Sequence, residues 1–347
     1  MKKLYEISWK VPESVYREDK ALSYSTLARY NREGFNKLDH LFDKIETPSL
    51  LFGSAVDTLI TGSEEEFNNN FIVAVFPDIP DSISKIVKIL FNKYHITNRT
   101  LESISNDKII EITNEQSYQT NWKPETRAKV IKEKGKEYYN ILFVANNKHI
   151  LSIEQKQQIN NAVRALKESQ NTKIYFADNN PFDETFYREY QLKFKATLNG
   201  IPYRCMADLL LVDHKNKCVT PIDLKTSSHT EWDFYKSFID WNYQIQARLY
   251  WRIIRHNMDQ DPYWKEYTLC DYKFIVVNKN TLTPLVWEFK DTQKSGTLYY
   301  GKNKQIEFKD PENIGYELNT YLTLHPSVPI NIDEVHTNDI IKWLNTL

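Results

Sequence analysis

The chain has 347 residues, of which 41% are hydrophobic and 26% are charged, and its formal net charge is −1. These proportions are those of a folded globular protein, so disorder along most of the chain is excluded. A polybasic binder of the histone type is also excluded, because any nucleic-acid contact must depend on a local group of Lys and Arg residues.

The cysteine content and the hydropathy pattern indicate a compartment. Cys205, Cys218 and Cys270 form neither an even disulfide framework nor a four-thiolate zinc or iron–sulfur site. No stretch approaches the roughly 18 apolar residues that a membrane span requires. We therefore expect a cytoplasmic protein with no membrane partner.

The first half of the chain has the spacing and capping signals of helices. Helices are predicted within Leu22–Asp43 and over the apolar run Ser49–Ile60. A charged helix is predicted over Pro124–Lys134, with Gly135 just past its end. Ser152–Ser169 opens with a capping box, which predicts a further helix.

Near Asn179 the pattern changes to short runs of aromatic and β-branched residues, which favour strands. Asn199-Gly200 is a typical hairpin turn, and the amphipathic spacing of Tyr243–His256 predicts one long helix. The predicted strands are Phe182–Phe194, Ile201–Val212, Cys218–Thr226, Tyr272–Val277 and Leu285–Phe289. This order of elements predicts an α/β protein with a mixed sheet.

One predicted strand carries an acid and a base on the same face. Because side chains alternate along a strand, Asp223 and Lys225 project together while Leu224 faces the core. On the preceding strand, Asp208 interrupts an apolar run, and hairpin pairing brings it level with Asp223 to within about one residue. Neighbouring buried carboxylates repel each other, so a divalent cation is their natural partner. Oxygen ligands favour Mg²⁺ or Mn²⁺ over zinc.

An isolated Asp-x-Lys pattern is more often an ordinary ion pair on a solvated strand face. Here the long helix adds Gln246 and Tyr250 one turn apart, so several signals coincide. The sequence contains no GxxxxGK phosphate-binding loop, which excludes an ATP-driven motor of that type.

These motifs resemble those of a known family. Asp208, Asp223-Leu224-Lys225 and Gln246 to Tyr250 resemble the D…DxK…QxxxY pattern of the PD-(D/E)XK nucleases of the RecB-like group. Leu22 to Ser25, followed by Leu50 to Asp57, resembles the opening of phage exonucleases of the RecE (exonuclease VIII) type.

The resemblance implies an α/β fold with a PD-(D/E)XK (restriction-endonuclease-like) core, a mixed central sheet flanked by helices and a helical N-terminal elaboration. We expect a single nuclease domain over 1–347. Its predicted parts are a helical part at 20–178 that contributes Asp57, a catalytic core at 179–290 and a C-terminal extension at 291–347.

The same resemblance implies the role of each site residue. Asp208, Asp223 and the carbonyl of Leu224 hold Mg²⁺, with Mn²⁺ as the alternative, and Lys225 orients the attacking water. Gln246 and Tyr250 steady the site or the DNA backbone. Related nucleases sometimes keep a further acid on the first strand, and the sequence leaves the choice between Glu184 and Glu189 open.

Asp57 departs from the family pattern, which usually has His at this position. Gly53 lies one helical turn before Asp57 and would let the helix backbone approach the sheet. We therefore predict that Asp57 is a further metal ligand, and that Asp57→Ala weakens Mg²⁺ binding and lowers activity by about tenfold.

The predicted function is an Mg²⁺-dependent DNA exonuclease that degrades linear duplex ends, 5′ to 3′, in phage-type recombination within the host cytoplasm. A single-strand annealing protein and further copies of the chain are the expected partners, and processive action would have to come from encirclement of the DNA or from a partner. A RecB-like endonuclease or single-strand exonuclease, and a catalytically weak DNA-binding protein, are the alternatives. The candidate DNA-contacting residues are Lys193, Lys195, Arg204, Arg248, Arg252 and Arg255, with Tyr24, Tyr30 and Trp232 for base stacking.

Overall fold

The computed structural model describes residues 2–43, 45, 47–302 and 305–324. The chain divides into two compact units. The sheet unit combines the N-terminal stretch up to Gly53 with the residues from Ala162 onward, and the helical unit spans Ser54–Asn161. The expected division into one nuclease domain with three parts stays a prediction, and 325–347 of its last part lie outside the described residues.

The secondary structure of the described residues confirms most of the predicted elements. The α-helices are α1 (Glu13–Glu18), α2 (Tyr24–Glu33), α3 (Pro48–Thr61), α4 (Glu64–Asn70), α5 (Asp81–Tyr94), α6 (Asn106–Glu115), α7 (Pro124–Ala145), α8 (Ile153–Glu168), α9 (Lys173–Phe176), α10 (Phe234–Asp240), α11 (Tyr243–Asp259) and α12 (Pro311–Leu324). The strands are β1 (Phe71–Val73), β2 (His149–Leu151), β3 (Phe186–Leu198), β4 (Ile201–Asp213), β5 (Cys218–Ser227), β6 (Thr268–Leu269), β7 (Tyr272–Asn278), β8 (Pro284–Phe289), β9 (Leu298–Tyr300) and β10 (Ile306–Phe308). Short 3₁₀ helices occupy Leu4–Ile7, Gly34–His40, Leu101–Ser103 and Trp264–Glu266.

The sheet unit is built on a mixed sheet with the strand order β3-β4-β5-β7-β8, and β6 pairs with β5. Asn199 and Gly200 both have positive φ, 49° and 80°, as a tight hairpin turn between β3 and β4 requires. Strands β5 and β7 are parallel, and the crossover that parallel strands need contains α10 and α11. The prediction of an α/β chain with a mixed sheet is therefore confirmed.

Helix α11 covers one face of this sheet. Its side chains Ile245, Leu249 and Ile253 are fully buried, in one cluster with Phe194 of β3 and Cys205 of β4. Burying a large aliphatic side chain contributes roughly 1.5–3 kcal/mol, so this face anchors the helix and positions its polar residues.

The helical unit is built mainly from α5, α6 and α7, with β1 and β2 as a short parallel pair. One prediction is wrong here, because α7 does not end at Gly135 but continues to Ala145. A side chain at Gly135 would approach Val87 Cγ2 to a clashing distance of 2.4 Å. This glycine therefore allows close contact between α7 and α5 and does not cap the helix.

Two smaller features complete the comparison with the predicted elements. Ser152 Oγ accepts from the N–H of Gln155 at 3.1 Å, and Gln155 Oε1 accepts from the N–H of Ser152 at 2.8 Å, which confirms the capping box of α8. Strand β3 begins at Phe186, later than predicted. None of the helices in the described part of the chain has the length and apolar character needed to cross a membrane.

Candidate active site

The two predicted acids lie where β4 and β5 separate. Leu209 and Ile222 are the last residues paired between these strands, and the same register places Asp208 opposite Asp223. Further on, β5 continues beside β7 and β4 beside β3. The carboxylate of Asp208 accepts a 2.9 Å hydrogen bond from the N–H of Leu224. If β4 and β5 stayed paired beyond Leu209, a backbone carbonyl of β4 would accept this hydrogen bond. The Asp208 carboxylate accepts it instead.

Where β5 no longer pairs with β4, the N-terminal segment forms backbone hydrogen bonds with the free edge of β4. Leu22 bridges Tyr203, with its N–H donating to Pro202 O at 2.9 Å and its carbonyl accepting from the N–H of Arg204 at 2.9 Å. Helix α2 begins two residues later with Tyr24, whose ring lies 6.3 Å from that of Tyr243, and the Tyr243 ring is 5.0 Å from Lys225 Nζ.

The backbone carbonyl of Leu224 points into the same gap. In a strand, the N–H and C=O of one residue point toward the same neighbouring strand, and this N–H is directed at Asp208. The gap between β4 and β5 therefore gathers two carboxylates and one carbonyl, as predicted for Asp208, Asp223 and Leu224.

Asp223 is almost fully buried, with 2% of its surface exposed. Its Oδ1 accepts a 2.5 Å hydrogen bond from Gln246 Nε2 of α11, and its Oδ2 forms an ion pair with the Lys225 ammonium. The structure thus brings together Asp208, Asp223, Lys225 and Gln246.

Lys225 is held by an acid and by aromatic rings. Its Nζ lies 5.0 Å from the centre of the Tyr243 ring and 6.0 Å from that of Phe274. Burial opposes protonation of this amine, but the nearby charge of Asp223 outweighs it, so the pKa of Lys225 lies above its ordinary value. Lys225 is therefore a permanent positive charge beside the acids.

Tyr250 is also close to the acids, but as a core residue. It belongs to the main core cluster, and its ring lies 6.3 Å from that of Tyr272 on β7. Burial raises the pKa of both tyrosines, and the charges of Asp223 and Asp208 raise it further. Tyr272 and Tyr243 were not predicted as site residues. Strand alternation could have placed Tyr272 on the face of Asp223, but only the fold shows that β7 neighbours β5.

Asp57 lies in the helical unit. It is half-buried, and Thr61 Oγ1 donates to its carbonyl at 2.9 Å. Gly53 is in the sheet unit, where a Cβ would lie 3.1 Å from Thr226 Oγ1, so this part of α3 approaches the end of β5 as expected. The assignment of Asp57 as a metal ligand stays a prediction.

The two alternative acids of the first strand have other contacts. Glu189 accepts hydrogen bonds of 3.2 and 3.3 Å from the N–H of Tyr5, and Glu184 lies 4.0 Å from the Lys3 ammonium. These contacts are with the N-terminal segment, and none of them brings Glu184 or Glu189 to the gap between β4 and β5.

Several candidate DNA contacts are wrong. Arg248 is fully buried, so it cannot reach a phosphate, and Arg252 is largely buried in the same ion-pair network with Asp310. Tyr30 is 4% exposed and cannot stack on a base, whereas Trp232 is 84% exposed. Sequence spacing placed these residues near the site, but packing decides which way they face.

Whether this gap suits a metal depends on its donor atoms. No group of three or more His, Cys, Asp or Glu side chains in the described ranges could hold a metal ion. The donors at the gap are two carboxylates and one carbonyl, all oxygen. Such a set fits Mg²⁺, which is commonly bound by one or two carboxylates while water and substrate phosphates complete its octahedral shell.

Comparison with known proteins adds little. No family profile matches the chain, and no curated protein matches it. Among solved structures, that of a "Putative exonuclease" from Eubacterium rectale is similar at 13% identity and a TM-score of 0.39, over 90% of this chain and 82% of that one. At that TM-score the similarity carries no argument, and the functional conclusion has to come from the geometry of the gap between β4 and β5.

Proposed function

We propose that this protein is an Mg²⁺-dependent deoxyribonuclease with a PD-(D/E)XK core. The observation that carries the proposal is the register of β4 and β5, which puts Asp208 opposite Asp223 while Lys225 pairs with the same acid. Phosphodiester hydrolysis increases the negative charge on phosphate oxygens, and fixed positive charge in a partly buried site stabilises that change.

In this proposal Asp208, Asp223 and the Leu224 carbonyl would hold the ion. When bound, Mg²⁺ supplies a Lewis acid for the scissile phosphate and lowers the pKa of a water molecule. Lys225 keeps its proton and orients the water and a phosphate oxygen through Nζ. Gln246 holds the Asp223 carboxylate in one orientation through its Nε2 donor, so the acid is preorganised before substrate binds.

The substrate follows from the resemblance to RecE-type phage exonucleases. The chain would resect linear DNA duplexes from their ends, 5′ to 3′, in recombination by strand annealing. A single-strand annealing protein and further copies of the chain are the proposed partners. Endonucleolytic cleavage and DNA binding without catalysis are the outcomes that would replace this proposal.

The decisive experiment is digestion of linear and covalently closed circular duplexes of one sequence in Mg²⁺. One linear sample is labelled at its 5′ ends and another at its 3′ ends. We expect linear DNA to be consumed from its 5′ ends and closed circles to resist. Rapid loss of closed circles would make the protein an endonuclease, and no cleavage of either form would overturn the proposal.

A pair of lysine variants links the activity to the gap between β4 and β5. Lys225→Ala should lower cleavage at least about a hundredfold, because a preorganised charge is lost. Lys273→Ala is the matched control, since Lys273 lies opposite Ile222, on the sheet face away from Asp223. Equal activity of the two variants would contradict the assigned site. Ca²⁺ should support DNA binding without turnover, because its longer and less regular coordination positions water poorly.

A further inference from the structure

Large aromatic side chains are exposed on the connection between β5 and α11. Trp241, at the end of α10, has 52% of its surface exposed, and Trp232 and Tyr235 on the same connection are 84% and 46% exposed. Tryptophan is usually buried over most of its surface. This connection joins β5 and α11, which both contribute to the candidate site. Its exposed aromatic side chains therefore need an explanation.

Contacts on three sides hold Trp241 in place. Its carbonyl accepts a 2.7 Å hydrogen bond from the Tyr24 hydroxyl, and Arg32 Cζ lies 5.2 Å from the centre of its ring. The next residue, Asn242, has a left-handed φ of 55°, and its Oδ1 accepts from Asn31 Nδ2 at 3.1 Å. These hydrogen bonds fix the backbone at Trp241, and the Arg32 guanidinium lies over one face of its indole ring.

The same contacts connect Trp241 to the acids. Two residues further on, Tyr243 places its ring 5.0 Å from Lys225 Nζ and 6.3 Å from the ring of Tyr24. Burial raises the pKa of Tyr24 and of Tyr243, and nearby positive charge opposes the shift, from Arg32 at Tyr24 and from Lys225 and Arg32 at Tyr243. Trp241 and Arg32 therefore belong to the surroundings of Lys225.

We propose that Trp241, with Arg32 beside it, is a stacking platform for an unpaired base of the DNA strand that enters the site. Base–aromatic stacking works for any base, because every base has a π-face, and an Arg in the same place can contact the neighbouring phosphate. Bases inside a duplex have both faces covered by their neighbours, so the platform selects a strand that has been separated from its complement. This inference rests on the proposed function and adds the form of the substrate.

The test is equilibrium binding without turnover. Single-stranded oligonucleotides with 2-aminopurine near one end, and a closed dumbbell duplex of the same length, are titrated in Ca²⁺ and in EDTA. Fluorescence anisotropy of a distal dye measures affinity, and 2-aminopurine emission measures stacking. We expect Trp241→Ala to weaken single-strand binding about tenfold and to abolish the change in emission, with less than about a threefold effect on the dumbbell.

Two further variants separate stacking from other effects. Trp241→Tyr keeps an aromatic face and should restore most of the single-strand affinity. Phe182→Ala is the control, since Phe182 is 96% exposed but precedes β3, at the end of the sheet away from Lys225. Unchanged single-strand affinity in Trp241→Ala, or an equal loss for single strand and dumbbell, would overturn the platform. If the wild-type protein bound neither DNA, the proposed function itself would fail. If the wild-type protein cleaved DNA and Trp241→Ala bound single strands as well as the wild type, only the platform would be excluded.

Discussion

Helix α11 contributes to two buried charged clusters that differ in the number of donors around their central acid. The acid cluster contains Asp208, Asp223, Lys225 and Gln246. The arginine cluster contains Arg248 and Arg252 of α11 with Asp310 and Glu312. Both lie in the sheet unit, and α11 contributes Gln246 to the first cluster and Arg248 and Arg252 to the second.

The arginine cluster surrounds its central acid with donors. Arg252 binds both oxygens of Asp310 at 2.8 and 2.6 Å, Arg248 donates to Oδ2 at 2.8 Å, and the N–H groups of Gly296 and Glu312 donate at 3.0 and 2.9 Å. Burial raises the pKa of Asp310, but the two arginines and the Glu312 N–H more than offset it, so the pKa lies below its usual value. Both oxygens of Asp310 are therefore bound, although Arg248 Nη1 is buried without a hydrogen-bond partner in the described part of the chain.

The central acid of the acid cluster has fewer partners. Asp223 is bound by one cation and one amide, with the Lys225 ammonium at Oδ2 and Gln246 Nε2 at Oδ1. In the described part of the chain, Gln246 Oε1 and the Tyr272 hydroxyl are buried without a hydrogen-bond partner, at a cost of about 1–3 kcal/mol each. The comparison teaches that buried charge alone does not identify a site, whereas a buried acid surrounded by few donors is the better candidate for binding a cation.

The largest expected effect is on stability, at Arg248. Arg248→Met should lower the free energy of unfolding by about 3–5 kcal/mol, because Asp310 and the carbonyls of Lys294 and Gly296 lose a buried donor. Chemical denaturation measures this change. Arg17→Met, which removes an exposed pair with Glu13, should cost less than about 1 kcal/mol. A similar small loss at Arg248 would mean that the arginine cluster is not structural.

The next effect is on catalysis, at Asp223. Asp223→Asn should reduce cleavage at least a hundredfold, or about 2.7 kcal/mol, because a metal ligand is lost. Stability should fall as well, by up to about 3–5 kcal/mol, because the largely buried Lys225 ammonium loses its counter-charge. Asp259→Asn removes an acid from the exposed end of α11 and should leave both quantities unchanged. Wild-type cleavage by Asp223→Asn would make the acid cluster a structural ion pair.

A smaller effect is expected at Tyr272. Tyr272→Phe removes a buried hydroxyl that has no partner, so the free energy of unfolding should stay the same or rise by about 1 kcal/mol. Cleavage should fall severalfold if the hydroxyl serves the site near Asp223. Denaturation and a cleavage assay on one preparation separate the two results. A loss of stability would show that the hydroxyl has a structural partner.

The smallest effect concerns the pH dependence of stability and the buried side chain of His214. Its Nδ1 lies 2.6 Å from the Tyr267 hydroxyl, and burial lowers the pKa of its imidazole below the usual value. A group whose pKa is lower in the folded than in the unfolded protein contributes stability at pH values above its unfolded pKa, which is about 6.5 for His. That contribution is lost as the pH falls through the folded pKa. The wild-type protein should therefore lose more stability than His214→Phe between neutral and acidic pH. Parallel pH profiles of the two would contradict this assignment.

Local rules were sufficient for a large part of this protein. Alternation along β5 puts Asp223 and Lys225 on one face, and the Asn199-Gly200 turn pairs β3 with β4. Helix spacing predicts α11 and puts Gln246 and Tyr250 one turn apart on it. These features depend on residues close together in the chain, where strand and helix periodicity determine which side chains share a face.

Tertiary structure alone decided the rest. The sequence placed Arg248 among the DNA contacts, but Asp310, which lies 62 positions further on, draws it into the core. The sequence predicted that Gly135 lies just past the end of a helix. It lies inside α7 instead, where a Cβ would clash with Val87 Cγ2. Tyr272 reaches the acids only because β7 lies beside β5, and Trp241 is fixed by Tyr24 and Arg32 from the N-terminal part of the chain. Local periodicity shows which side of an element a residue faces, but the partner on that side comes from a distant part of the chain, and only packing brings the two together.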